Sequence, residues 1–361
     1  MYVEHCKVRF WFNQSGNVWS DQQIIDGTPF ITDLTSVQFT DFYGTGTTTL
    51  LWSCDFGQHS GGSNYKTLDF CGGKKPNLLV EMDNNMGATT RVQFAPSTKF
   101  YLEDKANGTL WYTSLPFPVQ VLEKTEVIDH ISKTKLVTSY KYHHGYYDGR
   151  EREFRGFGRV DQFDTEFFDD FSGTSLHGDE AAFDNHQKGF HIPPVETRTW
   201  FHIGVYFDET HYLDHRELME KNRREFYSGD AHAFQLEAHY FEQPDGSEGR
   251  GDTPHEAFRA LRGAVLHTEV YGRDSLEKSG HPYTVTETRY QVKALQPRQS
   301  NNHSVYLTTN ESLSYHYERN PTDPRIGHSI TLGIDDFGNV TDSVAVGYPR
   351  GLYDHGSADY V

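Results

Sequence analysis

The chain is built from short runs in which apolar or aromatic residues alternate with polar ones, and glycine, asparagine and aspartate turns separate these runs. A two-residue period places successive side chains on opposite faces of a β-strand. The chain also has 25 Phe, 22 Tyr and 5 Trp but only 4 Met, and this balance favours pleated sheets over helices. We therefore predict a mainly β fold.

The pattern divides the 361 residues into three regions. Residues 1–72 contain strand-like runs at hairpin spacing and end in a loop rich in Gly, Ser and Lys. Residues 73–190 are strand-rich and end in an acidic stretch at 163–188, which is typical of a solvent-exposed loop. Residues 191–361 begin with the double proline Pro193-Pro194, which starts a new extended segment.

Within this pattern, several finer features are predicted. Helical periodicity is confined to residues 209–227 and 253–265, where Thr253 and Glu256 have the spacing of a capping box. Strands are expected over 99–104, 110–115, 304–309 and 312–319. The glycines expected to form turns or corners are Gly145, Gly149, Gly156, Gly158 and Gly338.

The charge of the chain limits its partners. Lys and Arg total 33 against 51 Asp and Glu, which gives a net charge of −18. Nucleic acid and anionic membrane surfaces are therefore poor partners. No run approaches the roughly 20 apolar residues of a membrane helix, so direct membrane insertion is not expected, and the N-terminus lacks a Sec-type signal. Cys6, Cys54 and Cys71 lack metal-site or redox spacing and are predicted to be free thiols.

Histidines suggest a zinc site, which we test against the spacing that such a site needs. His211 and His215 are four residues apart on a predicted helix, with Glu217 nearby. The metalloprotease motif requires Glu directly after the first His, and Tyr212 stands there. The histidines are better interpreted as surface residues, and the same holds for the His143-His144 pair. No metal site is predicted.

A Glu-x-Glu motif at Glu151 and Glu153 matches the spacing that ADP-ribosyltransferases use. These enzymes also need a Ser-Thr-Ser strand and an upstream Arg, and the sequence contains no Ser-Thr-Ser. A charged surface shared with Arg150, Arg152 and Arg155 is the preferred interpretation.

The segment around Asp41 looks like a calcium-binding FG-GAP blade of a β-propeller. Tyr43, Thr45 and Thr49 occupy the positions of later ligands, whereas Ca²⁺ prefers several carboxylate or carbonyl oxygens. We expect a metal-free remnant. The chain also lacks a nucleophile elbow, a P-loop and a dinucleotide fingerprint, so no catalytic residue and no cofactor are predicted.

Long stretches of the chain resemble one family. They are residues 76–104, 114–166, 193–209, 255–274, 281–297 and 312–350. Together they resemble the middle region of the B component of bacterial insecticidal toxin complexes, the TcB or TcdB type of Tc toxin, which is related to SpvB-type virulence proteins.

The resemblance implies an architecture and partners. Residues 1–72 would be the end of an FG-GAP-type β-propeller that docks on the A component, a pore-forming translocation channel. The following strands would begin an Rhs/YD-type shell, built jointly with the C component, that holds the toxic C-component segment unfolded. Such a protein is cytoplasmic before release and acts outside the cell without a Sec signal. The chain begins inside the propeller and stops where relatives continue into further repeats, so we expect it to be a fragment.

A non-enzymatic structural part of a toxin complex is therefore the predicted function. Two alternatives remain open. One is a stand-alone binding module that uses Tyr142, Tyr146 and Tyr147 as exposed aromatics. The other is an enzyme of the ADP-ribosylating or glycan-processing type, with the acidic run 164–170 as its candidate cleft.

Overall fold

The computed structural model describes residues 1–53, 64–132, 134–165, 192–205, 207–208, 213–236, 240–242, 253–274, 276–296, 305–335 and 337–349. It divides the chain into two compact units. The first unit comprises Met1–Leu78 and Phe117–Gln120, and the second comprises Leu79–Pro116 and Val121–Val361.

The first unit consists of small antiparallel sheets. Its strands are β1 (Tyr2–Glu4), β2 (Lys7–Phe10), β3 (Asn13–Gln14), β4 (Val18–Trp19), β5 (Gln23–Asp26), β6 (Ser36–Thr40), β7 (Thr49–Ser53) and β8 (Tyr65–Asp69). They form the sheets β1-β2-β5, β3-β4 and β6-β7-β8. Val8, Leu50 and Trp52 are at most 1% exposed and form its core. Whether this unit ends a propeller stays a prediction.

The second unit contains one large sheet. Its strands, with the β15-β16 hairpin beside them, are β9 (Glu81–Asp83), β10 (Ala88–Pro96), β11 (Gln120–Asp129), β12 (Thr134–Asp148), β13 (Glu153–Phe163), β14 (Val195–Phe201), β15 (Phe207–Asp208), β16 (Leu213–Asp214), β17 (Tyr240–Glu242), β18 (Val265–Gly272), β19 (Thr284–Gln296), β20 (Val305–His316), β21 (Arg325–Ile334) and β22 (Val340–Gly347).

The order of the large sheet is β22-β21-β20-β19-β18-β14-β13-β12-β11-β10-β9, and β17 pairs in parallel with β19. Most strands pair with the next one along the chain, so the sheet is a meander that is interrupted between β14 and β18. Over the described residues its end strands, β9 and β22, do not pair with each other, so the sheet is open. The predicted mainly β fold is confirmed.

The helices are α1 (Ser97–Ala106), α2 (His215–Glu225) and α3 (Thr253–Ala260), with a 3₁₀ turn at Glu277–Gly280, in the part of the chain that the structure describes. The helices α2 and α3 lie within the predicted helical ranges. The strand predicted over 99–104 is wrong, because α1 occupies this segment. Ser97, Phe100 and Asp104 are buried, at the i, i+3, i+7 spacing of a helix face, whereas Leu102, which a strand would place on the same face as Phe100, is 56% exposed.

Two further strand predictions need correction. Residues 110–115 are irregular, because their side chains are anchored elsewhere: Trp111 donates to Asp104 (2.6 Å) and Thr113 to the Gly145 carbonyl (3.0 Å). The strands predicted at 304–309 and 312–319 are one strand, β20, which stays continuous through the polar residues 310–311 because these pair with β19.

Three of the five glycines predicted at corners lie inside strands instead. Gly145 belongs to β12, and Gly156 and Gly158 belong to β13; Gly149 and Gly338 lie at turns. A Cβ atom on Gly145 would come within 2.9 Å of the Trp111 ring, so this glycine serves close packing. Cys6 and Cys71 are free thiols as predicted, and Cys54 lies outside the described residues. Of the helices that the structure describes, none is long and apolar enough to span a membrane.

Candidate functional site: the covered face of the large sheet

The two faces of the large sheet differ in chemistry. Along β14, Glu196, Arg198 and Trp200 point to one face, and Thr197 and Thr199 point to the other. Glu196 is 3% exposed and Trp200 is 0% exposed, whereas the two threonines are only partly buried. We refer to the side that carries Glu196, Arg198 and Trp200 as the covered face, because α2 packs against it.

A carboxylate from α2 joins three strands on the covered face. Glu225, the last residue of α2, accepts hydrogen bonds from His144 Nε2 (2.7 Å), Trp200 Nε1 (3.1 Å) and Arg159 Nη1 (3.4 Å). These three donors belong to β12, β14 and β13. A carboxylate at a helix C-terminus is unfavourable for the helix dipole, so Glu225 is explained by its contacts with the sheet.

Two consecutive histidines on β12 reach this network because the backbone departs from regular strand geometry. His144 has φ +58°, in the left-handed region that costs a non-glycine residue roughly 1–2 kcal/mol. The irregular backbone lets both rings contribute to the ionic contacts around α1 and α2. His143 Nδ1 contacts Asp104 Oδ2 of α1 at 2.7 Å, and its Nε2 lies 3.3 Å from Asp161 Oδ2.

A second buried carboxylate lies further along the same face. Glu269 of β18 is 0% exposed and accepts hydrogen bonds from His267 Nε2 (2.9 Å), the Tyr271 hydroxyl (2.7 Å) and the Tyr227 backbone N–H (2.5 Å). Phe226 stacks on the His267 ring with centroids 3.8 Å apart. The chain immediately after α2 is thereby held on the sheet.

The surroundings fix the charge state of these groups. Burial alone would raise the pKa of Glu225, but the contacts with His144, Arg159 and Trp200 lower it to about 2. Burial likewise opposes ionisation of Asp161, yet hydrogen bonds from His143 and Arg159 hold its pKa well below the usual range. Both carboxyl groups therefore stay ionised at neutral pH.

The two histidines behave differently. Burial lowers the pKa of His144, so its ring is neutral at pH 7 and donates Nε2–H to Glu225. Burial would also lower the pKa of His143, but the hydrogen bonds with Asp104 and Asp161 raise it above its ordinary value. Each charge of the network is paired, and the arrangement attaches α1 and α2 to the sheet. The structure brings no group of three metal-binding side chains together among the residues it describes.

The Glu-x-Glu motif is part of an ion-pair cluster rather than an open acidic site. Glu153 pairs with Arg155 (3.2 Å) and with Arg262, which follows α3, and Glu151 lies 3.7 Å from Arg259 of α3. The preferred interpretation named Arg155 correctly. The sequence did not indicate the pairs with Arg259 and Arg262, because each pair joins residues about 110 positions apart.

The candidate calcium ligand Asp41 binds its own loop. Its two carboxylate oxygens accept the backbone N–H groups of Thr45 (2.9 Å) and Gly46 (2.7 Å). Thr49 donates its hydroxyl to the Thr40 carbonyl (2.7 Å) and Tyr43 contacts Thr67 (2.7 Å). Asp41 and Thr49 therefore stabilise the turn, and the metal-free blade remnant stays a prediction.

His215, one of the two candidate zinc histidines, is buried and not at the surface as expected. His215 is 6% exposed and packs against Phe258 of α3, with ring centroids 4.2 Å apart. Glu217 pairs with Lys221 along α2 (2.9 Å). His211 and Tyr212 lie outside the described residues. The interpretation of His143 and His144 as surface residues is wrong too, since they are 9% and 1% exposed.

The tyrosines proposed as an exposed platform are packed instead. Tyr146 is 4% exposed and lies in a core cluster with Ile203, Val205 and Leu218. Tyr142 is partly buried and donates its hydroxyl to the Leu122 carbonyl (2.8 Å). Tyr147 is also partly buried. Most of the acidic run 164–170 lies outside the described residues.

Sequence reasoning missed the network centred on Glu225 and Glu269. A signal was available, because β14 and β18 alternate charged or aromatic residues with Thr or Val, and β13 does so at Arg159-Val160-Asp161. Such alternation normally indicates a polar outer face. Here it marks the covered face, which only the position of α2 reveals.

Comparisons with known proteins agree with one another. The model of the insecticide toxin TcdB middle/N-terminal region matches residues 13–202, and that of the TcdB middle/C-terminal region matches residues 256–360. No curated protein sequence matches significantly.

Solved structures show the same relationship. The chain is 31% identical to a crystal structure of TcdB2-TccC3 without its hypervariable C-terminal region (TM-score 0.77). It is also 31% identical to a Photorhabdus luminescens Tc holotoxin pore with a substitution in TccC3 (TM-score 0.80). Each match covers 97% of this chain and 15% of the other. The chain therefore spans about 15% of the length of the solved proteins it matches.

Proposed function

Because the chain belongs to the family of insecticide toxin TcdB middle regions, we propose that it is a non-enzymatic structural part of a toxin-complex B component. In this role it helps to form the shell that encloses the toxic segment of the C component and connects that shell to the A-component translocation channel. The observation that carries the proposal is the similarity over 97% of the chain to solved TcdB2-TccC3.

The geometry supports a role as a wall. The large sheet is a meander whose strands lean on their neighbours, an arrangement that extends by addition of further strands. The charges of the covered face are paired with one another, as Glu225 shows with Arg159, and serve to hold helices in place. A reaction site instead requires polar groups left available for a substrate.

The proposal includes partners and location. The C component forms the other part of the shell and the A component receives the assembled complex, whereas no cofactor, nucleic acid or membrane insertion is involved. The first unit belongs to the propeller and the second begins the Rhs/YD-type shell. The protein is cytoplasmic before release and then acts outside the cell.

Co-purification tests this function. The polypeptide that carries this sequence is co-expressed with the C component and then mixed with the A component. We expect a stable B-C complex by size-exclusion chromatography with light scattering, and its binding to the A component. A C component without its shell-forming part is the control and should not co-purify. Separate elution of the B and C polypeptides would contradict the proposal.

An NAD-consumption assay tests the enzymatic alternative, with Glu153→Gln as the matched variant. We expect no turnover from either protein, because Glu153 is ion-paired with Arg155 and Arg262. Turnover that disappears in the variant would support the enzyme.

Binding to a glycan array by the isolated chain would support the stand-alone binding module.

A further inference from the structure

The uncovered face of the C-terminal strands has an unusual composition. In the register of β19 to β22, Thr286 lies opposite Ser314, Thr288 lies opposite Ser312, and Ser312 lies opposite Ser329. Opposite residues share a face, and Thr286 Oγ1 and Ser314 Oγ are 3.3 Å apart. We refer to this surface as the hydroxyl face and define it by Thr286, Thr288, Ser312, Ser314, Ser329 and Ser343.

The hydroxyl face is open over the described residues. Its side chains are partly or fully exposed, and two glycines lie among them, Gly327 opposite Ser314 and Gly347 opposite Gly327. A Cβ atom added to either glycine would meet nothing within 4 Å. Nothing in the described chain therefore packs directly on these two glycines, whereas α3 packs further along the same side of β19, against Tyr290 and Val292.

Charge is concentrated on the opposite side of the same strands. The covered face there holds Arg289, Glu311 and His328, with Arg289 Nη1 3.0 Å from Glu311 and His328 Nε2 2.9 Å from Glu311. It is packed by residues 226–236, whose Leu236 lies against Val285, Leu313 and Tyr315. The chain carries a net charge of −18, whereas the hydroxyl face is defined by Ser and Thr side chains, and His316 and Arg325 lie opposite each other near one end of the same side.

We propose that the hydroxyl face lines the inside of the shell and is the wall against which the enclosed, unfolded polypeptide lies. The inference rests on the proposed function and adds which side of the sheet meets the enclosed segment and by what chemistry.

The chemistry fits an unfolded occupant of any sequence. An extended chain exposes backbone N–H and C=O groups, and a hydroxyl group both donates and accepts hydrogen bonds, so it serves either group. A neutral surface neither repels nor holds acidic or basic segments, whereas a wall with the charge of the whole chain would repel acidic ones. The face also lacks a large apolar patch, which would bind exposed hydrophobic residues and slow their release.

Neighbouring residues of β22 provide a matched test. Ser343 points to the hydroxyl face, and Val344 points to the opposite face, where it is 40% exposed. Ser343→Cys and Val344→Cys are made separately in the polypeptide that carries this sequence, after replacement of Cys6, Cys54 and Cys71 by Ser. Each variant is labelled, alone and in complex with the loaded C component, by a polyethylene-glycol maleimide and by a thiol-reactive benzophenone.

Both cysteines should react with the maleimide in the uncomplexed protein. In the loaded complex we expect Ser343→Cys to be protected from the maleimide by at least tenfold and to crosslink to the enclosed segment. Val344→Cys should remain reactive and form no such crosslink. Ser329→Cys is a second variant on the hydroxyl face and should behave like Ser343→Cys.

The outcomes separate the two ideas. A complex in which Val344→Cys crosslinks to the enclosed segment and Ser343→Cys stays reactive overturns the inference and leaves the proposed function intact. Equal reactivity of both cysteines in the loaded complex overturns it as well. If the polypeptide forms no complex with the C component, the proposed function fails and the inference fails with it.

Discussion

Replacing Glu225 by Gln tests whether the network on the covered face holds α2 to the sheet. The substitution keeps the size of the side chain and removes its charge. Arg159, which lies 3.4 Å from Glu225, would then retain Asp161 as its carboxylate partner at 2.7 Å. The expected result is a weaker attachment of α2 with the rest of the network in place.

The magnitude follows from the pKa of Glu225. A carboxyl group whose pKa falls from 4.5 to about 2 on folding contributes about 3 kcal/mol at neutral pH. His144 is neutral at pH 7 because burial lowers its pKa, so at that pH it stabilises the Glu225 carboxylate less than a charged ring would. We therefore expect Glu225→Gln to cost about 2 kcal/mol, which corresponds to about a 30-fold loss of protection from hydrogen exchange.

The pH dependence has a definite sign. Because folding lowers the pKa of Glu225, its contribution is fully present above pH 4.5 and is lost as the pH falls towards 2. The difference between wild type and variant should therefore be largest at pH 7 and fall by more than half at pH 3. The other ionisable groups are the same in both proteins, so their effects largely cancel.

Hydrogen exchange measured by mass spectrometry on the α2 peptides at pH 7 localises the effect, and urea denaturation at pH 7 and pH 3 gives the free energy of unfolding. Glu217→Gln is the matched control on the same helix, where a half-exposed pair with Lys221 should contribute less than about 0.5 kcal/mol. Equal effects of the two substitutions, or a Glu225→Gln effect that does not change with pH, would refute the reasoning.

Three further predictions concern other contacts. Asp41→Ala removes the acceptor of two loop N–H groups and should lower the free energy of unfolding by about 1–2 kcal/mol in thermal unfolding. Added calcium should not change the Tm of the wild type. A calcium-dependent rise in Tm would show that the loop binds metal. Leu313 is 1% exposed, and Leu313→Ala should lower the free energy of unfolding, measured by urea denaturation, by about 3 kcal/mol. The control Leu332→Ala, at a residue that is 65% exposed, should change it by less than about 0.5 kcal/mol. Similar losses of stability in the two variants would contradict the assigned burial. Tyr112→Phe leaves the buried side-chain carbonyl of Asn222 without the tyrosine hydroxyl that donates to it. The loss should destabilise α2 by about 1–2 kcal/mol and appear as faster hydrogen exchange in that helix. Unchanged exchange would show that this hydrogen bond does not hold the helix.

The strands could be predicted because their information is local. A two-residue alternation with aromatic residues favours a strand, and the runs at 47–52 and 283–292 form β7 and β19. The prediction failed for α1, where a short aromatic run imitates a strand. There, Ser97, Phe100 and Asp104 are buried together at helical spacing, which selects the helix.

The chemistry of the two faces depended on tertiary structure. The sequence alone determined the mainly β class, the strand-rich middle region and, through long similar stretches, the toxin family. It did not show that Arg159 and Glu225 pair inside or that Glu269 is buried, because alternation tells which residues share a face and not which face is covered. That choice was made when α2 packed on one side of the sheet, since a buried charge is tolerated only beside its partners, and those partners come from distant parts of the chain.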